Sequence, residues 1–194
     1  DEVLPILRQT SLLKPWENDL KSLPEMSFTL KDANYFFSTE LAFALPLSRL
    51  TKLITHEGLI KLRFSKRQIR NCALLRKWIQ RNDGDAYKSL NEFDRLELHQ
   101  DLENLLPALI LELPKKFHRI WLNRWRDSKD PLFHPSPPLN GNILKKLLGI
   151  SEGVLLGQLM SHLSIEKAFG RLQNDDDVLQ FARNWLKQNQ PCCD

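Results

Sequence analysis

Along most of the chain the apolar residues recur every three or four positions with polar and charged residues between them, and no convincing alternating strand pattern occurs. That spacing belongs to helices that bury one face. The run SKRQIRNCALLRKWIQRNDG opens on Ser65 with Gln68 three residues later, a capping box that satisfies backbone donors at a helix start. Its apolar positions Ile69, Cys72, Ala73, Leu75 and Ile79 keep mostly to a 3.6-residue period, and Asn82 and Gly84 predict its end. Earlier, STELAFALPLSRLTKLITHEGLIKLRF predicts two short helices broken at Pro46, because proline lacks a backbone N–H and clashes with the preceding turn.

LNEFDRLELHQDLENLLPALILEL predicts a helical stretch interrupted near Pro107. PKKFHRIWLNRWRDSKD follows, with Leu113, Phe117, Ile120, Trp121 and Trp125 along one side. NDDDVLQFARNWLKQNQ predicts the last helix. Asn174 caps it, Asp175, Asp176 and Asp177 sit at the positive end of its dipole, and Val178, Phe181, Ala182 and Trp185 form its apolar side. No fixed-period repeat is present. The clearest interruption is DPLFHPSPPLNG, whose prolines predict an extended, non-helical connection. The expected fold is all-α: a helical body over 1–129, a proline-rich linker over 130–141 and a smaller helical tail over 142–194.

A chain of 194 residues with 42% hydrophobic content can bury a core. No apolar run reaches the roughly 18 residues needed to cross a bilayer, so no membrane partner is expected. The opening DEVLPILRQT lacks Met, a basic n-region and a signal-type apolar region, which predicts an excised or processed portion of a longer protein. Cys72, Cys192 and Cys193 form no C-x-x-C pair, and their odd number predicts a reducing compartment, cytoplasm or an organelle interior, and no zinc site.

Charge changes the picture more. The net +4 is mild, but residues 61–82 carry eight bases and no acid, and 113–149 carry eight bases against two acids. Between them, 83–112 holds eight acids against two bases. Such blocks predict either a polyanion partner or basic helices that pair with acidic neighbours. Arg63, Lys66, Arg70, Lys77 and Arg81 fall on a different face from the apolar positions of their helix, which leaves that face for solvent or phosphate. Trp121 and Trp125, interleaved with Lys115, Lys116, Arg119, Arg124 and Arg126, have the types for stacking on unpaired bases, but their helical spacing favours the core.

Catalytic patterns are absent from the sequence. His56, His99, His118, His134 and His162 are scattered, and there is no nucleophile elbow, Walker loop or dinucleotide fingerprint. Asp83-Gly84-Asp85 suits a helix-ending turn better than a magnesium pair, and Asp175–Asp177 suits capping. No catalytic residue, metal ligand or cofactor is expected on this chain.

Four of the seven glycines, Gly141, Gly149, Gly153 and Gly157, fall within LNGNILKKLLGISEGVLLGQLMSHL. Asn142 is the predicted cap of ILKKLL, and Gly149 its stop with positive φ. Ser151 then caps the next helix, with Glu152 in its first turn and Gly153 and Gly157 on one face. Two roles fit these small residues. They allow two helices to touch, or they let a phosphate approach free N–H groups, with Lys145 and Lys146 flanking it.

With those residues in place, NGNILKKLLGISEGVLLGQLMSHL resembles the tail signature of bacterial-type (class II) tRNA nucleotidyltransferases and their poly(A) polymerase relatives. Gly141, Leu144, Leu148, Gly149, Gly153, Gly157 and Leu163 match that pattern. GRLQNDDDVLQFARNWL is similar to the family's closing helix, and LIKLRFSKRQIRNCALL to its Leu-Arg-Phe-Ser body element. Together they cover about 58–190, and the first part more weakly. Glu152 and Val154 stand where the family has the prolines of a Pro-Gly-Pro turn, and Asn142 where it has aspartate. The family's catalytic head, with Gly-Ser and a strand-borne D-x-D, is missing from this chain, as is the neck's Glu-Asp-x-x-Arg.

The resemblance implies a body and tail that hold the acceptor and T arms of tRNA while a head, in cis, adds nucleotides. Magnesium and nucleoside triphosphates are then expected only with that head. The expected RNA contacts are Arg63, Lys66, Arg67, Arg70, Lys145, Lys146, Ser151, Gly153 and Gly157. The residues by themselves also leave open a helical interaction scaffold, or a helix-hairpin-helix module for DNA.

Overall fold

The structure, a computed structural model, describes residues 10, 13–16, 34–81 and 89–189. The predicted terminators Asn82 and Gly84, the Asp83-Gly84-Asp85 turn, Cys192 and Cys193 lie outside the described residues. Among the described residues the fold is all-α, with nine helices and no strand. They are α1 (Ser38–Leu53), α2 (His56–Lys61), α3 (Lys66–Gln80), α4 (Glu92–Leu102), α5 (Leu106–Ile110), α6 (Lys115–Arg126), α7 (Gly141–Leu148), α8 (Val154–Ala168) and α9 (Asp175–Asn189). The chain divides into two compact units. One comprises Asp1–Ser89 with Asp101–Arg126, the other Leu90–Gln100 with Asp127–Asp194.

In the first unit α1 packs against α3 and α5, and α2 against α3. α3 buries Cys72, Leu75 and Trp78, whereas Ile69, Ala73 and Ile79 are only half-buried. The large anchor is therefore Trp78. Its indole Nε1–H donates to Asp101 Oδ2 at 2.9 Å, and Lys77 Nζ meets the same oxygen at 2.8 Å. On the other flank Arg76 donates to the carbonyls of Thr51 and Ile54, at 2.9 and 2.8 Å, and closes the end of α1. Burial holds the Arg76 guanidinium below its ordinary pKa and pushes the neighbouring Cys72 thiol up.

α1 corrects the expectation of a break at Pro46. It runs unbroken through the proline. Pro46 is exposed and so is Ala42, the residue whose carbonyl loses its N–H partner, so water can satisfy that carbonyl. Pro107 likewise lies inside the first turn of α5, where a missing N–H costs little, and the break falls just before it at 103–105. In α6 the buried residues are His118, Trp121 and Leu122, while Ile120, expected on the apolar side, is 58% exposed. Trp121 is core, and Trp125 donates its Nε1–H to the Glu103 carbonyl at 2.7 Å.

The second unit has its own core of Leu144, Leu156, Leu159, Leu163, Val178, Ala182 and Leu186, drawn from α7, α8 and α9. The cap of α9 is as expected: Asp177 N–H donates to Asn174 Oδ1 at 2.9 Å. The proline-rich segment is non-helical but not extended throughout. Asp130 Oδ1 accepts from the N–H groups of Leu132 and Phe133, and the turn so formed buries the Phe133 ring against His99, centroids 4.2 Å apart. Arg171 joins this unit's sequence-distant parts, donating to both oxygens of Glu92 at 2.6 and 3.0 Å and to Glu166 at 2.6 and 3.0 Å.

Three outcomes test these contacts. Asp101→Ala leaves the buried Trp78 N–H without an acceptor and should destabilise the protein by about 1–3 kcal/mol in urea unfolding. Lys77→Ala, which removes a half-exposed ion pair and the ammonium over the Trp78 ring, should cost less than Asp101→Ala, about 1 kcal/mol. The Arg171 hydrogen bonds hold the Glu92 carboxyl below its ordinary pKa, so the pair's contribution is present above the usual glutamate range and fades as pH falls through the lowered value. The difference in melting temperature between wild type and Arg171→Gln should accordingly be larger at pH 7 than at pH 3.

Candidate nucleic-acid interface

The N-terminal approach to α3 is built by two consecutive caps. Phe64 N–H donates to the Leu59 carbonyl and Arg63 N–H to the Ile60 carbonyl, both at 3.0 Å, which closes α2 in a Schellman motif. The residue in the left-handed position is Arg63, with φ 57°, where glycine is the usual occupant. Immediately after it, Ser65 Oγ accepts from Gln68 N–H at 3.2 Å, and Gln68 Oε1 accepts from Ser65 N–H at 3.2 Å, the expected capping box. The first backbone N–H groups of α3, on Lys66 and Arg67, have no intrahelical carbonyl to meet.

Here the basic block of 61–82 separates into two sets. Arg76 and Lys77 are spent on the fold, as described above, and Arg81 lies over the Trp78 ring at 5.2 Å. Arg63, Lys66, Arg67 and Arg70 are exposed and make no ion pair or side-chain hydrogen bond among the described residues. Lys61, which sequence reasoning did not single out, is exposed in the same way two residues before Arg63. Five cations within ten residues, with free helix-start N–H groups among them, make a strong local field for an anion.

The glycine turn lies in the second unit, so the structure places the two candidate sets in different units. α7 is capped by Asn140, not by Asn142. The Asn140 side chain accepts from Asn142 N–H at 2.8 Å, and the helix therefore begins two residues earlier than expected. Gly149 stops it with φ 67°, as predicted. Ser151 does not cap α8. The N-cap is Gly153, with φ 156° and ψ −168°, and no side chain caps the helix start. That backbone region is essentially open to glycine alone, so the helix starts two residues later than a Ser151 cap would have it.

Of the two roles open to Gly153 and Gly157, helix contact is not the one they serve. A side-chain carbon at either position would meet nothing within 4 Å, and both are exposed. The close helix approach belongs to Gly141, where such a carbon would lie 3.1 Å from Met160 Sδ of α8. Lys146 is exposed and without a partner among the described residues, whereas Lys145 Nζ pairs with Glu152 at 3.1 Å. The carboxylate of Glu152 at this turn is thus partly neutralised, and it takes one of the two flanking lysines with it.

No group of three or more His, Cys, Asp or Glu side chains among the described residues is placed to hold a metal ion, and no described helix is long and apolar enough to cross a membrane.

No family model matches the chain, and no solved structure matches it. It is similar to a CC-adding tRNA nucleotidyltransferase of Synechocystis sp., with 23% identity over 167 residues, covering 80% of this chain and 40% of that protein. The relationship to a tRNA nucleotidyltransferase is distant, and the chain spans about two fifths of the length of the curated relative it matches.

The Arg63 backbone gives a direct test. Arg63→Gly removes the left-handed strain and should stabilise the protein by about 1 kcal/mol in urea unfolding, whereas Arg63→Ala should leave stability nearly unchanged.

Proposed function

We propose that this chain holds tRNA as the body and tail portion of a class II tRNA nucleotidyltransferase-like protein. The observation that carries the reading is the set of exposed cations Arg63, Lys66, Arg67 and Arg70 at the start of α3, unpaired among the described residues, in a fold that pairs Arg76, Lys77 and Arg126 with carboxylates or carbonyls. The similarity to a CC-adding tRNA nucleotidyltransferase supplies the kind of polyanion. The motif resemblance at the glycine turn supplies the placement within such a protein.

In this reading the phosphate backbone lies along the exposed arc of α3, with each guanidinium able to take a phosphate in a forked contact. The open backbone at Gly153 and Gly157, with Lys146 in the last turn of α7, gives a second contact, and Ser151 adds a hydroxyl just before Gly153. These groups read charge and helix shape, not base sequence. Nucleotide addition belongs to a head and neck outside this chain, and magnesium and nucleoside triphosphates belong with them. The competing reading is a scaffold whose basic and acidic blocks pair with each other. It is disfavoured because the α3 arc has no carboxylate partner among the described residues.

The test is tRNA binding by the whole chain over a salt series. Affinity should fall steeply with salt, and the Lys66→Ala/Arg67→Ala/Arg70→Ala variant should weaken binding and reduce the log–log salt slope by about 3. Binding that ignores salt, or a triple variant that binds like wild type, overturns the proposal. Equal preference for duplex DNA points instead to a general helix-hairpin-helix contact.

A further inference from the structure

We infer that the second unit carries a site for one unpaired nucleobase bearing an exocyclic amine, in a groove lined by α4 and α8. This rests on the RNA-holding reading, since the base would come from that RNA, and it assigns a feature that charge along α3 does not explain. The groove has a volume of about 240 Å³. That is smaller than the ~300–1,000 Å³ of sites for drug-sized ligands, and suits a single flat ring system.

Its lining sets the chemistry. Phe93 stands 58% exposed on α4 with no ring partner among the described residues, a large apolar face presented to water beside the groove. Met160 adds a second, adaptable apolar surface. The polar groups are mostly acceptors. Ser161 Oγ donates to the Gly157 carbonyl at 3.0 Å and Ser164 Oγ to the Met160 carbonyl at 2.9 Å, so each hydroxyl has used its proton and keeps its lone pairs. Glu97 adds a carboxylate, and Gln100, exposed and without a hydrogen bond among the described residues, offers a carbonyl and an amide.

A ligand matching this surface is planar, stacks on a phenyl ring and offers both protons of an exocyclic amine to the neighbouring acceptors while accepting one bond from the Gln100 amide. The amine-bearing edges of adenine, cytosine and guanine do all of these, and uracil has no exocyclic amine to offer. Stacking of an unpaired base on an aromatic side chain is the usual way single-stranded RNA is gripped, and it does not depend on salt as phosphate contacts do. The groove would thus add a base-selective contact to an otherwise charge-driven surface.

The experiment uses the whole chain and two kinds of probe. Free adenosine, cytidine and uridine are tested by saturation-transfer NMR, and oligoadenylate and oligouridylate by fluorescence anisotropy across a salt series. Adenosine and cytidine should show transfer, uridine much less, and Phe93→Ala should abolish it while Phe93→Tyr retains it. Phe93→Ala should also weaken oligoadenylate binding about 5- to 100-fold with an unchanged salt slope. Because Phe93 is exposed, circular dichroism should show the variant folded. No transfer from any nucleoside to wild type, or identical behaviour of wild type and Phe93→Ala, overturns the site. Nucleoside transfer without any binding of RNA upholds the groove and overturns the RNA-holding reading, so the two failures are distinguishable.

Discussion

Asp101 decides which way α3 faces, and with it what the basic block can do. Its carboxylate takes the indole N–H of Trp78, the largest fully buried side chain of the first unit, and the ammonium of Lys77. A buried indole N–H without an acceptor is costly, so the inward orientation of α3 is strongly set by this one oxygen. Arg76 fixes the opposite flank through two carbonyls at the end of α1. Cys72, Leu75 and Trp78 are then inside, and on a helix of 3.6 residues per turn Lys66 and Arg70 turn away from that face, while Arg67, near the azimuth of Trp78, is exposed at the helix start. The exposed charge is a consequence of the core, and needs no additional element to hold it out.

That division was only partly legible in the sequence. The capping box of Ser65 and Gln68, the Asn174 cap and the Gly149 stop are local signals, each closed within a few residues, and each stands in the structure as expected. The separation of structural from free cations was not legible, because it depends on partners far along the chain. Asp101 is 24 residues from Lys77, and Glu40 is 86 residues from Arg126. Glu112 meets both Ser48 and Lys52, again across more than half the first unit's length in sequence. Composition blocks show that pairing is available; only the tertiary fold shows which cations it reaches.

The errors have physical causes of the same kind. Pro46 carries a strong breaking signal, but the cost it imposes is one unpaired carbonyl, and on the wet side of a helix water meets it. The glycine run was ambiguous in a different way. Spacing made Gly153 and Gly157 suitable for helix contact, yet the close approach falls to Gly141 against Met160, since contact depends on which face each helix turns to its neighbour. What could be read correctly was the turn itself, because Gly149 and Gly153 both hold backbone angles that other residues resist.

Arg63 sharpens the functional side of this. A Schellman closure almost invites glycine at its left-handed position, and the hydrogen bonds around it are satisfied whatever side chain stands there. An arginine at that place gives up stability and gains nothing within the described fold, because its guanidinium has no partner there. It does project a charge between two helix ends, next to Lys61 and Lys66, at the point where the N–H groups of α3 are free. Local rules are broken where something other than folding rewards it. The rule broken here lies within the same ten residues whose cations have no partner among the described residues, so strain and charge, two independent features, point to one surface.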